Sequence, residues 1–133
     1  MVTKSSILGL IAALAVVLIA VSAVGENADS QVPKIGTVEE SGFSQSCVET
    51  GCYTPSVLTI KSGTIVTMTN TDTTGVHTFT SGTVDGFDPS PDGIFNSGVL
   101  MSGDALDRKF SQNGTYDYYC MLHTWMTGKI IVS

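Results

Sequence analysis

The 133-residue sequence points to an all-β sandwich set behind one hydrophobic N-terminal helix. From Val57 onward, short segments rich in Val, Ile, Thr, Tyr and Phe alternate with Gly, Asn, Asp and Pro, the pattern of an antiparallel sandwich. No helical period of useful length competes there. Ahead of it, Ile7 to Val24 is an unbroken run of apolar and small residues with no polar face.

Taken in order, residues 1–25 read as a signal peptide or membrane anchor. Lys4 precedes the apolar run and the polar Glu26-Asn27-Ala28-Asp29-Ser30 follows it. Val21-Ser22-Ala23 resembles a small-residue cleavage site, whereas a helix over the run would reach roughly 27 Å, nearly a bilayer core. In either form the rest of the chain is expected outside the cytoplasm. Residues 26–46 are polar, hold Pro33 with several Gly and Ser, and read as a linker; the alternative is that Ile35 to Val38 pairs as an edge strand. Residues 47–133 are expected to form the folded domain, of the order of 100 residues and enough for one core. Cys47 and Cys52 flank a Gly-containing segment and are expected to form a disulfide in an exported protein, the alternative being a second metal site.

Strands are expected at Ser56 to Ile60, Thr64 to Asn70, Val76 to Ser81, Ile94 to Asn96, Leu106 to Ser111, Thr115 to Cys120 and Lys129 to Val132. Gly82 to Gly93 reads as a turn-rich insertion. Its Asp85, Asp88 and Asp92 lack the spacing of a calcium loop. Asn113-Gly114-Thr115 reads as a tight turn before a strand.

The chemistry concentrates in four residues. Cys120, His123 and Met126 fall within seven positions, and His77, the only other histidine, comes from a distant element. Alternation along Gly114 to Cys120 puts Tyr116, Tyr118 and Cys120 on one face. Copper cycling between two oxidation states needs soft sulfur for one and imidazole for the other, and two His, one Cys thiolate and a Met thioether supply both. Zinc also accepts His and Cys, but a thioether is a poor zinc ligand. Met121 directly follows Cys120 and is expected to face away, and Met101 lies in the Gly98 to Gly103 loop, so spacing selects Met126.

The set Cys120-x-x-His123-x-x-Met126, the strand ending Tyr118-Tyr119-Cys120, and an Asn70-to-His77 segment resemble the cupredoxins, the small type 1 (blue) copper proteins that include plastocyanin, amicyanin and azurin. Cys52-Tyr53-Thr54-Pro55-Ser56, His77-Thr78-Phe79-Thr80-Ser81-Gly82 and Phe95-Asn96-Ser97-Gly98 are similar to the short, membrane-targeted cupredoxins of ammonia-oxidising archaea. The resemblance implies a cupredoxin-like Greek-key β-sandwich of about 7–8 strands, and one copper ion held by His77, Cys120, His123 and Met126. Two departures stand out. Where those loops carry Pro two residues after Cys, this chain has Leu122, whose backbone N–H is free to point at the Cys120 sulfur; where Asn usually follows the first His, it has Thr78, whose hydroxyl is the expected substitute link between the ligand loops.

The resemblance further implies a single-electron carrier, not an enzyme, exchanging electrons with extracytoplasmic or membrane-associated redox proteins through the edge of His123, beside Met121, Leu122 and Trp125. With Lys4 assigned to the leader, the exported part holds five Lys and Arg against twelve Asp and Glu, a formal charge of −7. That opposes nucleic-acid binding and favours partners with basic docking patches. A multicopper oxidase needs more histidines than the two present. The alternatives are a redox enzyme acting on a small molecule such as nitric oxide at an open copper position, and a copper carrier or storage protein.

Overall fold

Alternating burial organises the chain into two packed sheets. The computed structural model describes residues 31–133; the hydrophobic helix expected in residues 1–25 and the start of the linker lie outside them. Among the described residues no helix is long and apolar enough to cross a membrane. The described residues form nine strands: β1 Lys34–Thr37, β2 Tyr53–Thr54, β3 Val57–Ile60, β4 Thr64–Thr69, β5 Thr80–Asp85, β6 Asp88–Asn96, β7 Ala105–Phe110, β8 Gly114–Tyr119 and β9 Thr127–Val132. One sheet runs β2-β1-β4-β7 and the other β3-β9-β8-β5-β6.

Both sheets are mixed, not purely antiparallel as the sequence suggested, because β1 pairs parallel with β4 and β3 parallel with β9. Parallel partners need a long crossover, and in both cases the connection passes through the opposite sheet. Every second residue of β4 and β9 turns inward: Val66 and Met68 from one sheet meet Ile130 and Val132 from the other. Aromatic rings fill the space between. Tyr53 packs against Phe79 and Tyr118 with ring centroids 4.8 and 4.9 Å apart, and Phe95 stands edge-on to Phe110 at 5.8 Å.

Two expectations are corrected. Lys34–Thr37, inside the segment read as a polar linker, is strand β1, and it lies between β2 and β4, so it is not an edge. Its Ile35 is completely buried, worth about 1.5–3 kcal/mol relative to exposure. The span Gly82 to Gly93, read as a turn-rich insertion, is most of the β5–β6 hairpin, with Asp85 opposite Asp88 at its tip. Pro89 and Pro91 fit there because β6 is the outermost strand of its sheet and proline cannot serve a central ladder. Asp92 ties the two strands together, its Oδ1 accepting from the Ser81 hydroxyl at 2.5 Å and from the Ile94 N–H at 2.9 Å.

Cys47 and Cys52 form the expected disulfide, leaving Cys120 as the free thiol. The bridge closes the segment between β1 and β2. That segment runs over one end of the sandwich, and the same end gathers the ligand-type residues.

Candidate metal centre

The β4–β5 connection delivers His77 by a network centred on Asn70. Its amide Nδ2 donates to the carbonyls of Gly75 and Leu100, both at 2.9 Å, and its Oδ1 accepts from the Thr37 hydroxyl at 2.8 Å. His77 itself exchanges backbone hydrogen bonds with Leu100, at 3.2 Å from its N–H and 2.8 Å to its C=O. Tyr53 fixes the next residue, its hydroxyl donating to the Thr78 carbonyl at 2.6 Å. The completely buried His77 ring is therefore held from both sides.

Cys120 directly follows strand β8 and is completely buried, on the same side as Tyr118 by alternation. After it the chain closes on itself: the Cys120 N–H donates to the Met126 carbonyl at 3.1 Å, and the Met126 N–H to the His123 carbonyl at 2.9 Å. Those bonds fold the 121–126 loop back over the sulfur and bury Met126 completely, whereas Met121 and Met101 are about half-exposed.

The structure brings together three of the four residues that the sequence singled out, His77, Cys120 and His123. Cys120 Sγ lies 3.9 Å from His77 Nδ1 and 3.6 Å from His123 Nδ1. The three ligand-type atoms all lie within 4.8 Å of one another. The donor chemistry, two imidazoles and a thiol converging beside a buried thioether loop, fits copper better than any hard cation.

The electrostatics also favour a cation between these atoms. Burial alone pushes the Cys120 thiol up, but hydrogen bonds from His77 and from the backbone N–H groups of Thr78, Leu122 and His123 outweigh it and hold the thiol below its ordinary value. The Thr78 N–H donates at 3.3 Å. Burial pushes His77 down, yet Cys120 and Asp72 more than reverse that and raise it. His123 is held below its ordinary value by burial and by the nearby His77. Cys120 and Asp72 both favour positive charge at His77.

The Thr78 departure is accommodated as expected, because its hydroxyl accepts from the Met121 N–H at 2.9 Å and thereby ties the two ligand loops. The Leu122 N–H is among the groups that lower the Cys120 thiol, while the backbone hydrogen bond that reaches the sulfur is that of Thr78.

Two residues that sequence reasoning missed stand against the imidazoles. Asp72 Oδ2 lies 2.8 Å from His77 Nε2. Gly42, from the segment read as linker, packs on the rings so closely that a Cβ there would sit 2.9 Å from His123 Cε1 and 3.3 Å from His77 Cε1. Segment 38–44 is pinned in place by the Trp125 indole N–H, which donates to the Ser41 carbonyl at 2.9 Å, and by Glu39, which accepts from the backbone and hydroxyl of Thr73. Trp125 therefore has a definite structural role. Beside His123, a groove of about 390 Å³ is lined by Phe43, Val76 and Met101 among others.

The sequence profile of copper-binding proteins of the plastocyanin/azurin family matches residues 48–133. Amicyanin-alpha of Methylorubrum extorquens is 39% identical over 75 residues, 55% of this chain and 57% of that relative's length. Among solved structures, the fold is similar to a purple cupredoxin from Nitrosopumilus maritimus, with TM-score 0.64 and 33% identity over 76% of this chain and 99% of that one. It is also similar to part of a copper-containing nitrite reductase from Thermus scotoductus, with TM-score 0.54 and 27% identity over 76% of this chain but 22% of the other.

Proposed function

We propose, for a chain that belongs to the plastocyanin/azurin family of copper-binding proteins, that it is a single-electron carrier working outside the cytoplasm through one type 1 copper ion. The observation that carries this is the convergence of His77 Nδ1, His123 Nδ1 and Cys120 Sγ within 4.8 Å, at the mouth of a self-closed loop that buries Met126. His77, Cys120 and His123 are the ligands in this reading, with Met126 as the weaker axial donor. Copper, when bound, supplies a metal that gains or loses one electron.

The chain's own residues do the rest. Asn70, Tyr53 and the backbone bonds to Leu100 hold His77 where it stands, so little rearrangement accompanies a change of oxidation state. Backbone N–H groups aimed at Cys120 draw electron density from its sulfur. His123, which retains partial exposure, is the surface contact through which electrons enter and leave, and the exposed Leu122, Met121, Met101 and Phe43 give that end an apolar surface. Transient redox encounters need only a small buried area of this kind. The net acidic domain favours partners with basic patches, and the N-terminal apolar run supports export, with or without retention at the outer face of a membrane.

The test is spectroscopic. Copper(II)-loaded protein is expected to show intense visible absorption from sulfur-to-copper charge transfer, and Cys120→Ser to abolish it while the domain stays folded by circular dichroism. A loaded protein with no such band, or a Cys120→Ser variant that retains it, would overturn the assignment.

A further inference from the structure

Asp72 is fully buried and has no Lys or Arg partner; among the described residues its one ion-pair contact is the ring of His77. A buried carboxylate without a cation is costly unless its surroundings stabilise the charge. Here they do. One oxygen, Oδ1, accepts from the Thr74 N–H at 2.9 Å and the Thr74 hydroxyl at 2.6 Å, which leaves Oδ2 free to face His77 Nε2 at 2.8 Å. The backbone of Asp72 is fixed as well, its N–H donating to the Thr37 hydroxyl at 2.9 Å and to Asn70 Oδ1 at 3.1 Å. Gly75 leaves room for the contact, since a Cβ there would lie 3.1 Å from Oδ2 and 3.2 Å from Nε2.

Two consequences follow from that geometry. A carboxylate facing Nε2 keeps the proton on that nitrogen, so the Nδ1 lone pair is presented toward Cys120 and the centre. The carboxylate also adds a second fixed negative charge beside the Cys120 thiolate, inside a site that excludes water. Two negative charges are matched better by copper(II) than by copper(I).

We propose that Asp72 is a positioning and charge-setting residue of the copper centre, orienting His77 through Nε2 and biasing the site toward the oxidised metal. It opposes the backbone donors at Cys120, which bias the site the other way. The inference rests on the type 1 copper reading, so its test must fail separately from that reading.

The experiment compares wild type, Asp72→Asn and Asp72→Glu in the copper-loaded protein, by redox titration monitored on the visible band. Asp72→Asn keeps the shape and removes the charge: the band is expected to persist, and the preference for copper(II) over copper(I) to fall at least tenfold, a rise of ~59 mV or more for a one-electron couple. Asp72→Glu retains the charge and is expected to stay closer to wild type. An Asp72→Asn protein with the band intact and an unchanged midpoint would overturn the proposal while leaving the copper reading standing. Absence of the band from wild type would overturn the copper reading and this proposal with it. If Asp72→Asn does not fold, Asp72→Ser, a smaller neutral replacement, is read by the same titration: a midpoint raised with the band intact supports the assignment, and an unchanged midpoint overturns it.

Discussion

Individual residues at the centre act through the one sulfur. The Thr78 N–H donates to Cys120 Sγ at 3.3 Å, the backbone N–H groups of Leu122 and His123 also lower the thiol, and of the three only that of Leu122 can be deleted by changing a side chain that the core does not need. Leu122→Pro removes that donor and returns electron density to the thiolate, so copper(II) becomes better stabilised and the midpoint potential is expected to fall, readable by redox titration; an unchanged potential would remove Leu122 from the account of tuning. The ligand-type residues were legible in the sequence because three of them share one short loop and the chain has only two histidines to place. Asp72 was not legible. It sits in a polar run that reads equally well as an ordinary turn, and its role depends on a 2.8 Å contact set by Asn70 and Thr37, the latter 35 residues upstream.

At the scale of elements, segment 38–44 between β1 and β2 bears directly on the two imidazoles. A reversal at Glu40, whose φ of 61° is left-handed, brings Gly42 onto the two imidazoles. Gly42→Ala puts a methyl group 2.9 Å from His123 Cε1, so the ring or the segment must move. The expected outcome is a folded protein whose visible and electron paramagnetic resonance spectra are displaced and whose electron self-exchange is slowed; identical spectra would show that the segment yields without disturbing the ring. The central strands were readable because apolar and aromatic residues recur along β4, β8 and β9, with burial alternating along β4 and the end of β9. β1 was not, since it is four residues long with Ile35 as its only buried apolar side chain. The β5–β6 hairpin was not either, because from Thr83 to Ile94 it is largely exposed and offers no apolar period.

Over the whole molecule, charge and fold serve different ends. The sandwich holds the ligands, while the domain's acidic excess acts at distances beyond contact. Electron exchange with a basic redox protein is expected to slow as salt rises, because screening shortens the reach of the attraction to roughly 10 Å at 0.1 M ionic strength and less above it. Stopped-flow rates across a salt series check this, and a flat profile would assign docking to the apolar end around His123 alone.

The parallel pairing of β1 with β4 has a kinetic consequence. Segment 38–44, which covers the imidazoles, hangs from β1 on one side and from the Cys47–Cys52 bridge on the other. Stripping four residues of β1 from its neighbours, with loss of the Trp125–Ser41 bond, would lift Gly42 off His77 and His123 while leaving the β8–β9 pairing in place. Metal release is then expected to follow local opening of this short strand, below the barrier to global unfolding. A centre rigid enough for rapid electron exchange would thus have its longest clock set by a strand that carries none of its ligands.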